Sequence, residues 1–228
     1  MNATTTDPGA ATALAPVDPE IPHLYASRPQ ALPFDSSLAI RAFLLRRAAG
    51  NLLVYSVDGL GSAREQLERL GGVSRQYLNH RHEAMFASGG PGAPLYIHRA
   101  DEGPVAASLD VRAGFSRRHL LDDDFEVIPT PGHTPGATTY LWRSGGLRVL
   151  FTGDSLYLRD GEWVAAVLRS SDRAAYADSL ELIRELDFDV LVPWAASSGD
   201  PSYALATRAE ARRRIDAVLA RLRAGENH

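Results

Sequence analysis

Thr130-Pro131-Gly132-His133-Thr134-Pro135-Gly136, followed by Thr152-Gly153-Asp154, decides how this chain is read. Gly132 and Gly136 flank His133 in a loop bent by Pro131 and Pro135, which predicts an imidazole held on a stiff, exposed turn rather than packed in a core. The loop follows the β-rich run Phe125 to Thr130. Asp154 follows another such run, Leu147 to Phe151, and a glycine, an arrangement that leaves its carboxylate free to point into a cleft. A third segment of the same kind, Leu78-Asn79-His80-Arg81-His82-Glu83-Ala84-Met85, comes after the run Arg75 to Leu78. Each segment places a metal-capable side chain at the end of a predicted strand, where sites are usually assembled.

Around these segments the chain alternates short apolar runs with Gly and Pro punctuation. Leu38 to Leu45 and Leu52 to Val57, parted by Ala49-Gly50-Asn51, predict a hairpin, and Ser62 to Glu65 is a capping-box pattern opening a helix that Gly71-Gly72 closes. Pro94 to His98, Ala137 to Trp142 and Trp163 to Leu168 predict further strands. Ser170 or Ser171 caps a helix running to about Leu186, Val190 to Val192 is one more strand, and Ile215, Val218, Leu219 and Leu222 form the stripe of a last amphipathic helix. Strand-rich stretches followed by helices predict sheets covered by helices on their outer faces. Asn2 to Pro22, rich in Ala, Thr and Pro, is expected to be a flexible leader over residues 1–22, ahead of a single domain over 23–228.

Composition narrows the chemistry. The 228 residues include no cysteine and seven histidines, so disulfide scaffolds, thiol enzymes and iron–sulfur proteins are excluded, and any metal must be held by imidazole, carboxylate or backbone oxygen. A formal net charge of -4 without a basic stripe argues against nucleic acid as a partner. No window is apolar enough for a membrane span, and Met1 to Glu20 carries no basic segment followed by an apolar one, so a cytoplasmic location is expected.

The order and context of these motifs resemble the metallo-β-lactamase superfamily, whose members include glyoxalase II-type thioesterases and lactonases. The likeness runs from about Leu38 to Val192, is strongest in Thr130 to Gly136 with Thr152 to Asp154, and puts Asp58 where the family has a structural Asp after an early strand. It implies an α/β (α+β) architecture, a four-layer αββα sandwich with the site at the rim between two sheets. It also implies His80, His82 and His133 as ligands of one ion, with Asp154 as a further ligand. The family's second motif is His-x-His-x-Asp-His, and here Ala84 and Met85 stand where the Asp and last His belong. The family's final ligand His should fall near Pro193-Trp194-Ala195, where no His is present. What is lost belongs to one ion; what is kept serves the other.

A single site of three imidazoles and a carboxylate suits one Zn²⁺, with Fe possible. The expected activity is hydrolysis of a small-molecule ester, thioester or lactone by a zinc-bound hydroxide. Asp154 would complete the shell or orient the water, and Glu83 would assist if its loop turned inward. Two other readings use the same residues: a mononuclear non-haem iron oxygenase on His80, His133 and Asp154, or a pseudoenzyme that keeps the fold without turnover. Trp194 and Met85 are expected to fill the space of the missing second ion and make the cavity more apolar. The oligomeric state is not legible in the sequence.

Overall fold

Alternation along four strands sorts the core into two layers. In Phe125–Pro129, Thr138–Ser144, Leu147–Gly153 and Val190–Pro193, the side chains of Val127, Tyr140, Trp142, Val149, Phe151, Val190 and Val192 enter one apolar cluster. Their neighbours Ile128, Leu141, Leu150 and Leu191 enter another. Such a period-2 split is what a sheet buried on both faces requires. The computed structural model describes residues 13–227.

With His119–Leu120 and Ala204–Leu205 at its edges, these four strands form a six-stranded sheet, antiparallel except where Leu147–Gly153 runs parallel to Val190–Pro193. Facing it across the first cluster is a seven-stranded sheet that includes Phe43–Leu45, Leu52–Val54, Arg75–Tyr77 and Leu95–His98. On the far side of the six-stranded sheet, helices α3 (Arg173–Glu185) and α4 (Arg208–Arg223) bury Tyr176, Leu180, Ile183, Ile215, Val218, Leu219 and Leu222. On the seven-stranded sheet, α1 (Arg64–Arg69) packs Leu67 into the first cluster, and α2 (Arg99–Ala106) packs Val105 against Leu78, Leu95 and Ile97. The result is the expected four-layer αββα sandwich.

A third, five-stranded sheet was not expected. It joins Gln30–Leu32, Asp35–Ile40, Ala195–Ser197, Tyr157–Arg159 and Glu162–Val164. Its existence explains why the run Leu38 to Leu45 is not one hairpin arm. The chain leaves this sheet at Ile40 and enters the seven-stranded sheet at Phe43, while Phe43–Leu45 and Leu52–Val54 form the hairpin.

Other local expectations shift for identifiable reasons. Residues 1–12 of the expected leader lie outside the described residues, but the remainder is not a loose tail. Ala15–Pro16 pairs with Leu24–Ala26, and Leu14 and Ile21 are buried in the first cluster. Isolated apolar anchors of this kind leave no periodic signal. Ser62 donates its hydroxyl to Gly59 O in a 3-10 turn, Leu60–Ala63, instead of capping α1. The cap of α3 is Asp172, whose carboxylate accepts from Ala174 and Ala175 N–H, one residue beyond the serines. Asp122 and Asp124 ion-pair with the guanidinium of Arg47, whose side chain is buried.

Candidate metal centre

His80, His82 and His133 converge as expected, brought together by loops at the same edge of the sandwich. Each loop is clamped from behind. Gly132, at φ +143°, lets its loop lie against α3, where a Cβ would overlap Tyr176. Ser171 Oγ donates to His133 O, and Ser179 Oγ to Pro131 O. Gly153, at φ +57°, passes so close to the Asn79 amide that no side chain fits, and its N–H donates to the Tyr55 hydroxyl. The Tyr55 O–H donates in turn to Val192 O at 2.8 Å, and the Tyr176 O–H to Asp154 O at 2.7 Å. Both tyrosines are buried, so the Asp154 turn is stapled to the core on two sides.

Asp101 joins the two histidine loops. Fully buried on α2, it accepts from Arg81 N at 3.0 Å, from Thr134 Oγ1 at 2.5 Å and from Gly136 N at 3.2 Å. A carboxylate satisfied by three donors is stable in such a place, and its loss would strand all three. Nothing in the sequence marked Asp101, because its partners lie on two distant segments.

The ring nitrogens facing the site are set by what holds their opposite nitrogens. His133 Nδ1 donates to Ala166 O at 2.6 Å, which leaves Nε2 with its lone pair toward the centre. His80 Nδ1 faces Asn79 Oδ1 at 3.2 Å and Glu83 Oε1 at 3.4 Å, which likewise turns Nε2 inward. Glu83 is wholly buried and its Oε1 also accepts from Asn79 N and His80 N. The loop therefore turns Glu83 behind His80 and not into the cavity, because the first turn of the 3-10 segment Arg81–Phe86 needs that oxygen as an acceptor. Glu83 positions a ring; it does not reach a reacting group.

The site nitrogens of the three rings lie within 4.8 Å of one another. His82 Nδ1 is 3.0 Å from His133 Nε2, and Asp154 Oδ2 is 3.3 Å from His80 Nε2 and 3.5 Å from His133 Nε2. A tetrahedral Zn²⁺ with bonds of 2.0–2.1 Å implies ligand–ligand edges of about 3.3 Å, which these separations bracket. His80 Nε2 is buried without a hydrogen-bond partner, since Asp154 lies near it but outside hydrogen-bond geometry. A buried, inward-facing ring nitrogen that no hydrogen bond satisfies fits a place in a metal-ligand set.

Electrostatics follow from the same crowding. Burial disfavours the imidazolium of His80, yet Asp154 and Glu83 outweigh it and lift this ring to about 10. Burial, then the charges of His80 and His133, push His82 down to about 4. Burial would raise Asp154, but His80 overrides it and holds the carboxyl at about 2. Asp154 and the His80 ring thus stabilise each other's charged forms.

The centre forms the floor of a cavity of about 500 Å³. The positions expected to carry second-ion ligands present none. Ala84 packs toward the cluster around Leu78 and Leu95, Met85 stands at the mouth and is 65% exposed, and Ala195 lies in the wall. Trp194 does occupy the space beside the rings, edge-on to His80 at 5.3 Å and to Phe86 at 5.6 Å, with its N–H donated to Ser56 O. The filling is thus done by Trp194, with Met85 at the rim. Asp58 behaves as the structural residue expected of it, accepting from the hydroxyl and N–H of Ser88 and from Gln30. His98 caps α2, accepting from Ala100 N, and His228 lies outside the described residues.

A sandwich of this layering with a three-histidine centre at its edge defines a metal-binding hydrolase fold. The metallo-beta-lactamase superfamily model matches residues 57–195, and the chain belongs to that superfamily. Solved structures share the fold at low identity. A subclass B3 metallo-beta-lactamase of Bradyrhizobium japonicum is 16% identical, with a TM-score of 0.61 over 95% of this chain and 98% of that one. The metallo-beta-lactamase SMB-1 in complex with mercaptoacetic acid is 18% identical, with a TM-score of 0.65 over 96% and 98%. A metallo-beta-lactamase from Pontibacter korlensis is 14% identical, with a TM-score of 0.66 over 93% and 99%. No curated protein matches the chain. Among the described residues, no helix is long and apolar enough to cross a membrane.

Proposed function

We propose that this chain hydrolyses a small ester, thioester or lactone with the help of one metal ion held by His80 Nε2, His82 Nδ1, His133 Nε2 and Asp154 Oδ2. The observation that carries the proposal is the convergence of the three imidazoles beside a cavity, with Asp154 Oδ2 3.3 and 3.5 Å from two of them and His80 Nε2 without a hydrogen-bond partner. The donor set suits Zn²⁺ first and Fe²⁺ second. When bound, such an ion lowers the pKa of a coordinated water to about 7 and polarises a carbonyl oxygen.

The protein's own contribution is orientation. Ala166 O, Asn79 and Glu83 fix two imidazole tautomers, and Tyr55 and Tyr176 hold the Asp154 turn. Asp154 Oδ2, 3.3 Å from His80 Nε2 and 3.5 Å from His133 Nε2, is placed to bind the cation or to orient a water beside it. Trp194 and Phe86 keep bulk water from one side of the centre.

The test is metal content and turnover of protein purified without a histidine tag, reconstituted separately with Zn²⁺ and Fe²⁺, with His133→Ala as control. One ion per chain, lost in the variant, together with cleavage of at least one ester, thioester or lactone, is the expected result. No stoichiometric metal overturns the proposal; metal without hydrolysis makes the chain a binding module. Oxygen consumption by the iron form without hydrolysis makes it an oxygenase.

A further inference from the structure

Five large hydrophobic side chains are exposed among the described residues, and three of them, Phe34 at 73%, Met85 at 65% and Leu168 at 42%, stand round the mouth of the metal-centre cavity. They come from three unrelated segments: the turn between Gln30–Leu32 and Asp35–Ile40, the 3-10 segment after His80, and the loop before α3. Scattered exposed apolar residues are ordinary on a protein surface. A ring of them around one opening is not, and such patches mark binding sites. Below the ring the walls continue apolar through Leu32, Leu38, Phe86, Val167 and Trp194.

The charge of the cavity points the same way. Arg159 is the one arginine or lysine among the described lining residues, and it is engaged by the Asp35 carboxylate while lying 5.7 Å from the Tyr157 ring. An anionic substituent near the rim would find that guanidinium already neutralised by Asp35 and would meet no other arginine or lysine among the described lining residues. Desolvating a carboxylate without a partner is costly, whereas an alkyl chain entering the same space gains from leaving water.

We infer that the ligand this cavity selects is a neutral, apolar acyl group, an alkyl chain of several carbons or its equivalent, lying between Phe34, Met85 and Leu168 with its carbonyl at the histidine floor. As a statement of substrate class it rests on the hydrolase proposal above, but the selectivity itself is readable without turnover. The acyl–oxygen or acyl–sulfur bond breaks by addition of one water, which leaves the acid and an alcohol or thiol.

The experiment has a kinetic arm and a binding arm. In the first, Zn²⁺-loaded protein is given p-nitrophenyl acetate, butanoate and hexanoate, and a hexanoate-length ester ending in a carboxylate. In the second, ligand-observed NMR measures binding of acetamide, butanamide and hexanamide. Each buried methylene is expected to improve kcat/KM and affinity by up to about fourfold, which is on the order of 100-fold from acetyl to hexanoyl. The carboxylate-ended ester should fall at least about tenfold below hexanoate. Phe34→Ser and Leu168→Ser, at exposed positions that the fold does not need, should each lower the hexanoyl-to-acetyl ratio several-fold. Steep amide binding without turnover of any ester would sink the hydrolase proposal and leave this one standing. Turnover with a flat chain-length profile, a preference for the carboxylate-ended ester, or ratios unmoved in both serine variants would overturn the inference and leave the hydrolase proposal intact.

Discussion

The floor and the rim of the cavity are built by opposite means. On the floor, each side chain is tied at its back: His133 to Ala166 O, His80 to Asn79 and Glu83, and the Asp154 turn to Tyr55 and Tyr176. At the rim, Phe34, Met85 and Leu168 project from a turn, a 3-10 segment and a loop, and each is exposed to water. The contrast separates two demands. Holding a cation takes nitrogen and oxygen atoms placed to a few tenths of an ångström, which only a satisfied polar network achieves. Receiving an apolar chain takes area, which tolerates movement. Damage to the floor should therefore be abrupt, and damage to the rim gradual.

The sharpest break in that contrast is His133→Ala, which removes one of three imidazoles and should lower Zn²⁺ affinity by more than about 100-fold, measured by chelator competition. Retained stoichiometric zinc would mean that the floor is not a metal centre. Asp101→Ala comes next, because it strands Arg81 N, Thr134 Oγ1 and Gly136 N in the interior. It should destabilise the fold by about 3 kcal/mol, read from the urea midpoint. A loss below about 1 kcal/mol would show that the two histidine loops hold their places without this clamp.

Glu83→Gln keeps the shape of the buried side chain but weakens its hold on His80. Metal affinity should fall about 10- to 100-fold while the far-ultraviolet spectrum stays unchanged, and an affinity equal to the parent's would assign Glu83 to the backbone turn alone. The smallest effect is expected at Asp58→Asn, about 1 kcal/mol near neutral pH. Burial raises the Asp58 carboxyl, but hydrogen bonds from Ser88 and Gln30 outweigh it and hold it below the ordinary carboxylate value. A depressed folded-state pKa contributes stability that is present above the unfolded value and lost as pH falls through the folded one. The difference between parent and variant should therefore shrink below about pH 4, as denaturation curves at several pH values would show.

The residues proposed as ligands stand out in the sequence because their signal is local. Glycines and prolines bracket His133, a two-residue spacing pairs His80 with His82, and a glycine precedes Asp154, so each segment drew attention by itself and the family resemblance joined them into one set. The supports were not legible. Asp101 sits in an unremarkable helix with Pro104 inside it, and Tyr55 acts on Gly153 and Val192 across a span no sequence window covers. Glu83 was visible as an acidic neighbour of the ligands, yet its direction depended on which backbone N–H groups the following turn left unsatisfied. The third sheet escaped for a similar reason: its strands are short, and one of them continues directly into another sheet through Arg41 and Ala42.

By itself the sequence determined the layered α/β architecture and the donor chemistry of the centre. Hydrophobic periodicity and residue type are properties of neighbours along the chain, and the absence of cysteine is a property of the whole. Only the tertiary structure decided that the donors face one point, that Glu83 stands behind them and that Ala84 turns away. It alone gathered Phe34, Met85 and Leu168 round a single opening. The physical reason is that a side chain's direction is set by the backbone groups and packing partners it must satisfy, and here those partners come from segments far apart in the chain.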